Sequence, residues 1–75
     1  MDAPLISDEL AVAQTIILSS GNGLRFSKRL MNRLKLIMLE MKQERLEAGD
    51  CEAIFIPDKN VIIIRKCGKI VWIRN

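Results

Sequence analysis

Residues 51–75, CEAIFIPDKNVIIIRKCGKIVWIRN, decide the fold of this 75-residue chain. Three apolar runs rich in Ile and Val, at 51–56, 61–66 and 69–74, are separated by two stretches with turn chemistry. Pro57-Asp58-Lys59-Asn60 sets a proline at the first central position of a turn. Cys67-Gly68 offers a two-residue hairpin loop in which Gly68 takes positive φ. The stretch predicts a three-stranded antiparallel meander.

With even loop lengths, the side chains of such a meander sort by parity. One face then carries Ala53, Phe55, Ile62, Ile64, Val71 and Ile73. The other carries Ile54, Ile56, Val61, Ile63, Arg65, Ile70, Trp72 and Arg74. Both faces are apolar, and a chain this short covers one of them well. The second is left for a partner.

Working towards the N-terminus, residues 26–48 contain no glycine or proline and are rich in Leu, Met, Lys, Arg and Glu, which predicts a long helix. Phe26, Leu30, Leu34, Ile37, Met38 and Met41 form its apolar stripe, suited to one face of the sheet, and Gly49 supplies the stop. A shorter helix is expected over 8–19, with Ser7 as its cap and Ser19-Ser20-Gly21-Asn22-Gly23 as its end. Val12, Thr15, Ile16 and Ile17 suit a strand equally well. Residues 1–6 read as a tail. The whole chain is thus expected to be one small α+β domain: two helices, one short and one long, then a three-stranded antiparallel meander, with the long helix packed on one sheet face.

Composition narrows the function classes. The chain has no histidine and no tyrosine, so the commonest general base is missing and enzymatic chemistry is not expected. Gly21-Asn22-Gly23 falls short of any phosphate-binding fingerprint and reads more plainly as a helix stop. Glu40, Glu44, Glu47, Asp50 and Glu52 lack the spacing of a calcium loop and read as a solvated helix end. Cys51 and Cys67 approach each other in the expected meander register, since Cys51 faces Lys66; two free thiols are the plainer reading, and zinc would need two further ligands. No cofactor, metal or small-molecule substrate is suggested. No targeting segment or membrane-length apolar run is visible, so a cytoplasmic protein with free thiols is expected.

Charge is distributed in blocks within a net +3. Residues 1–20 hold three acids and no base, 21–39 five bases and no acid, 40–52 five acids against two bases, and 53–75 five bases against Asp58. Bases early and acids late in the long helix oppose its macrodipole, at about 0.3–1 kcal/mol for each misplaced charge. Leu36 and Leu39 also fall in its basic arc, where solvent is expected. Such violations gather at functional surfaces.

Two binding surfaces follow. Trp72, Arg65 and Arg74 on the second sheet face, with Leu36 and Leu39, suit a protein interface, because Trp and Arg are favoured anchors. The apolar last strand, at a sheet edge, also invites pairing with a second copy. The leading expectation is a small interaction protein that binds and modulates a larger protein partner, as a homodimer. The alternative is a nucleic-acid-binding regulator, with Arg25, Lys28, Arg29, Arg33 and Lys35 on phosphates and Asn32 reading a base edge. An ordinary solvated helix face explains the same arc.

Overall fold

The computed structural model describes the backbone over residues 3–74 and the side chains over residues 8–74. Helix α1 spans Ala3–Gly21 and helix α2 spans Lys28–Glu40. Four strands follow: β1 (Arg45–Ala48), β2 (Cys51–Ile56), β3 (Val61–Lys66) and β4 (Lys69–Arg74), with a single 3-10 turn at Pro57–Lys59 between β2 and β3. The sheet is wholly antiparallel, in the order β1-β2-β3-β4. The α+β class and the meander stand, but the sheet has four strands instead of three.

The extra strand comes from the second half of the expected long helix. α2 ends at Glu40 because Lys42 adopts a left-handed backbone, φ 55°. Gln43 N–H then donates to Met38 O at 2.9 Å and Lys42 N–H to Leu39 O at 3.1 Å, the double bond pattern of a Schellman stop. α1 closes the same way on Gly23 (φ 97°), with Leu24 N–H donating to Ser19 O at 2.9 Å and Gly23 N–H to Ser20 O at 3.1 Å. The chain beyond Lys42 is pulled into β1, where Leu46 and Ala48 point inward and Arg45 and Glu47 outward. Gly49 (φ 62°) does not stop a helix; it opens the two-residue β1–β2 turn.

The helix lengths are therefore reversed, at 19 residues for α1 and 13 for α2. α1 begins at Ala3, so Ser7 lies inside it and residues 3–6 belong to it; Met1 and Asp2 lie outside the described residues. Pro4 falls in the first turn, where a missing N–H costs nothing. Ser27 caps α2, its hydroxyl accepting from Leu30 N–H at 3.3 Å.

β2 and β3 pair in the expected register, Cys51 against Lys66 and Ile56 against Val61. β4 does not keep the parity that even loops imply. Arg65 faces Ile70 but Ile64 faces Trp72, so Val71 is an extra residue in a β-bulge. Every side chain after the bulge changes face. Trp72 and Arg74 turn to the helix side, opposite Ile64 and Ile62, and Ile73 turns away, opposite Ile63. Val71 and Ile73 are thus exposed instead of contributing to the core.

One core lies between the helices and the inward face of the sheet. Ala13, Ile16 and Ile17 of α1 and Met31, Leu34, Ile37 and Met38 of α2 meet Cys51, Ala53, Phe55, Ile62 and Ile64. α1 runs across β1, β2 and β3, and α2 packs beside α1. Close approach of α1 to the sheet is possible because Gly21 has no side chain: a Cβ there would lie 3.1 Å from Cys51 Cβ and nearer still to Sγ. Gln14 Nε2 donates to Glu47 O at 3.3 Å, and the Lys66 ammonium donates to Asn22 Oδ1. These bonds tie the middle and the C-terminal end of α1 to the sheet. Both helices serve the same side, so among the described residues the other sheet face has no layer over it.

Candidate protein interface

The uncovered face follows directly from strand periodicity plus the bulge. Ile54, Ile63 and Ile73 form a continuous row across β2, β3 and β4, and Ile56 lies beside Val61. Ile70 and Ile73 are 58% and 57% exposed, and Val71 and Ile56 are exposed beside them. Side chains of this size are ordinarily inside a domain, so their grouping on one face makes it a candidate interaction surface.

At the β1 end of this face the charges are internally balanced. Glu52 is buried and accepts from Arg45 Nε at 2.7 Å and from Arg65 Nη1 at 3.0 Å. Arg65 Nη2 also donates to the Gly68 carbonyl at 2.9 Å. Arg65 is therefore a cross-strand structural residue with its guanidinium engaged, separated by the sheet from Trp72 and Arg74.

Trp72 and Arg74 instead help to form a groove beside the β4 edge. Its walls are Gly23, Arg25 and Phe26 from the α1–α2 linker, and its floor is Val71 to Arg74; its volume is about 650 Å³. The linker is held against the strand by Arg74 Nη1, which donates to Phe26 O at 3.5 Å. Trp72 and Phe26 are each half-buried, packed on the edge of the core. Phe26 enters the site although its sequence pattern marks it only as part of a helix stripe.

Of the expected basic arc of α2, one member is drawn away from solvent. Lys35 is 4% exposed, and its Nζ donates to Asn60 O at 2.9 Å, closing the β2–β3 turn. Burial holds its pKa below the ordinary lysine value, and the neighbouring charges of Lys28 and Arg74 lower it further. Lys35 is thus withdrawn from any phosphate-binding role. Arg33 lies in a separate groove with Glu9, Leu36 and Glu40. There the charge of Glu40, and then a hydrogen bond with it, raises the Glu9 pKa, while Arg33 partly offsets the shift. Arg25, Lys28, Arg29, Asn32 and Arg33 remain exposed. Among the described residues, ion pairs involve only Arg45, Glu47, Glu52 and Arg65, so Arg25, Lys28, Arg29 and Arg74 form none there.

Leu36 and Leu39 are 59% and 50% exposed. They line two different shallow grooves, Leu36 beside Glu9 and Arg33, Leu39 beside Lys42, Phe55 and Pro57. Neither adjoins the Trp72 groove. The two thiols converge on one carboxylate: Cys51 Sγ donates to Asp50 Oδ1 at 3.3 Å and Cys67 Sγ to Oδ2 at 3.7 Å. Both are free, Cys51 buried and Cys67 exposed. Burial, and then the bond to Asp50, raises the Cys51 pKa; the same bond lowers that of Asp50. Among the described residues no group of three or more acids, cysteines or histidines is placed to hold a metal, and no helix is long and apolar enough to cross a membrane.

The chain is an α+β domain with one helical layer on a four-stranded antiparallel sheet. Comparison with protein-family models, curated proteins and solved structures finds no match.

Proposed function

We propose that this is a non-enzymatic interaction protein that works as a homodimer and modulates a larger protein partner. The observation that carries this reading is the isoleucine-rich sheet face with no layer over it. The face suits a second copy of itself. Its ionic cluster is already satisfied within the chain, so two copies stack without unpaired charges. The Ile54–Ile63–Ile73 row crosses three strands and is self-complementary about a two-fold axis. The dimer shares Ile73 with the Trp72 groove but leaves its helix side, Arg25, Phe26, Trp72 and Arg74, free for the larger partner.

Sedimentation velocity of the wild type and of Ile63→Glu tests this. A salt-tolerant dimer that the substitution converts to a folded monomer is the expected result. A monomeric wild type at all accessible concentrations would remove the reading.

A second reading, a nucleic-acid-binding regulator, draws on the exposed Arg25, Lys28 and Arg29, which have no ionic partner among the described residues. It predicts association with an oligonucleotide that weakens steeply with salt and is lost in Arg29→Glu. The engagement of Lys35 and the acids beside Arg33 leave it a smaller footprint than the sequence suggests.

A further inference from the structure

We propose that the groove beside β4 receives an extended acidic segment of the larger protein partner, added to the sheet as a fifth strand. This rests on the protein-interaction reading above and names the partner chemistry for a groove whose helix side dimerisation leaves free.

Three observations converge on it. First, β4 is a terminal strand, and its outer edge presents backbone donors and acceptors over about 20 Å, six residues at about 3.3 Å each. Among the described residues no backbone hydrogen bond from outside the sheet reaches that edge. Protective charges stand only at its ends, Lys69 and Arg74, with Ile70 to Ile73 between them. Second, the linker at Gly23 to Phe26 makes a wall alongside the regular half of β4, beyond the bulge, so the edge is the floor of a groove. Added strands are recognised in such grooves, backbone bonds giving affinity and alternate side-chain pockets giving selectivity. Third, the groove contains Arg25 and Arg74 and no acid, with Lys28 close enough to act on the same buried amine as Arg74. Neither guanidinium has a carboxylate partner among the described residues, although Arg74 Nη1 donates to Phe26 O, and guanidinium groups pair well with carboxylates.

The register specifies the segment further. Trp72 and Arg74 share the helix side of the strand, two residues apart. A strand paired with β4 therefore places an apolar side chain beside Trp72 and Phe26 and, two residues away, a carboxylate beside Arg74 and Arg25. The intervening residue lies beside Ile73 on the opposite face, where β-branched side chains fit.

Two other occupants fit less well. A second β4 in antiparallel pairing brings Lys69 towards the other copy's Arg74 and doubles the positive charge without supplying an acid. Single-stranded nucleic acid matches the charge but needs free aromatic faces, and Trp72 and Phe26 are packed on the core.

The test is fluorescence anisotropy with a labelled, capped hexapeptide Val-Glu-Val-Leu-Val-Glu, whose Leu has a Glu two residues to either side. Its controls are the same peptide with Lys for Glu, the same peptide with alternate amides N-methylated, and an octathymidylate. The expected result is binding of the acidic peptide only, weakened at least tenfold by Arg25→Glu and by Arg74→Gln. Circular dichroism and sedimentation of both variants should show an unchanged fold and dimer. No binding of the acidic peptide at 1 mM, equal binding of the Lys or N-methylated peptide, or preferential binding of the oligonucleotide would each overturn the proposal. If the acidic peptide fails while wild type still dimerises and Ile63→Glu does not, only this inference falls. If wild type is monomeric, the reading beneath it falls as well.

Discussion

Substituting Gly21 by alanine should destabilise this domain, although alanine is the better helix former. Gly21 is the last residue of α1, buried, with helical backbone. Its new Cβ would stand 3.1 Å from Cys51 Cβ, closer still to Sγ, and 3.9 Å from Ile64 Cγ2. Ordinary carbon contacts are at about 3.5–4.0 Å, so α1 must lift from β2 or Cys51 must move within a filled core. Overpacking of this kind costs about 1–3 kcal/mol, against a helix-propensity gain of about 0.5–1 kcal/mol. The net loss is roughly 0–2.5 kcal/mol, with a midpoint near 1 kcal/mol, and for a chain of this size each kcal/mol corresponds to about 4–8 °C in Tm. Removing the obstructing sulfur should reverse the sign. In a Cys51→Ala background only the Cβ contact remains, and Gly21→Ala should be neutral or stabilising. Thermal denaturation of the four proteins of this double-mutant cycle measures the coupling. A Gly21→Ala protein more stable than wild type, or a cycle with no coupling, would refute the close approach of α1 to the start of β2.

Other expectations concern the ends and edges of the elements. Lys42 holds φ 55°, where a non-glycine residue is strained by about 1–2 kcal/mol, so Lys42→Gly should raise stability by about 0.5–1 kcal/mol in urea titration. Glu9 has its folded pKa raised above the ordinary 4.5, chiefly by Glu40. Its contribution to stability is therefore present below about pH 4.5 and lost as pH rises through the folded pKa, where two carboxylates repel. Glu9→Gln should raise Tm at pH 7 and lose that advantage near pH 4, read by scanning calorimetry. Cys67 is exposed and Cys51 buried with a raised pKa, so one thiol should react rapidly with a disulfide reagent and the second only on unfolding. Two equally fast thiols would contradict the seating of Cys51.

Much of this fold is legible from the chain, and the failures have identifiable causes. β2, β3 and β4 stand out as short runs rich in Ile and Val, bounded by Pro57 and Gly68, the residues their turns require. The stop of α2 is hidden because its left-handed residue is a lysine, which gives no glycine signal. The four residues of β1, Arg-Leu-Glu-Ala, are good helix formers in isolation. They become a strand because β2 offers them a ladder and the core takes Leu46 and Ala48, a tertiary preference that local propensity does not contain. The bulge at Val71 involves no glycine either, and it alone moves Trp72 and Arg74 to the helix side.

The candidate site was legible to the same extent. An apolar second face was evident from parity, since Ile54, Ile56, Val61, Ile63 and Ile70 keep the assignment that the pattern gives them. The placement of Trp72 and Arg74 is not, because the bulge lies between the pattern and the surface. Lys35 shows the limit of reading a basic arc as solvent-facing: its four-carbon stem crosses the edge of the core to reach a turn carbonyl.

The most direct test of the central claim is a methyl NMR spectrum of isoleucine-labelled protein, recorded across a dilution series that spans dimer and monomer. The uncovered sheet face should report as a unit, with the methyls of Ile54, Ile63 and Ile73 shifting on dilution while those of Ile16, Ile17 and Ile62 stay fixed. Fixed Ile63 and Ile73 methyls in a protein that does dissociate would place the interface elsewhere and contradict the assignment of that face.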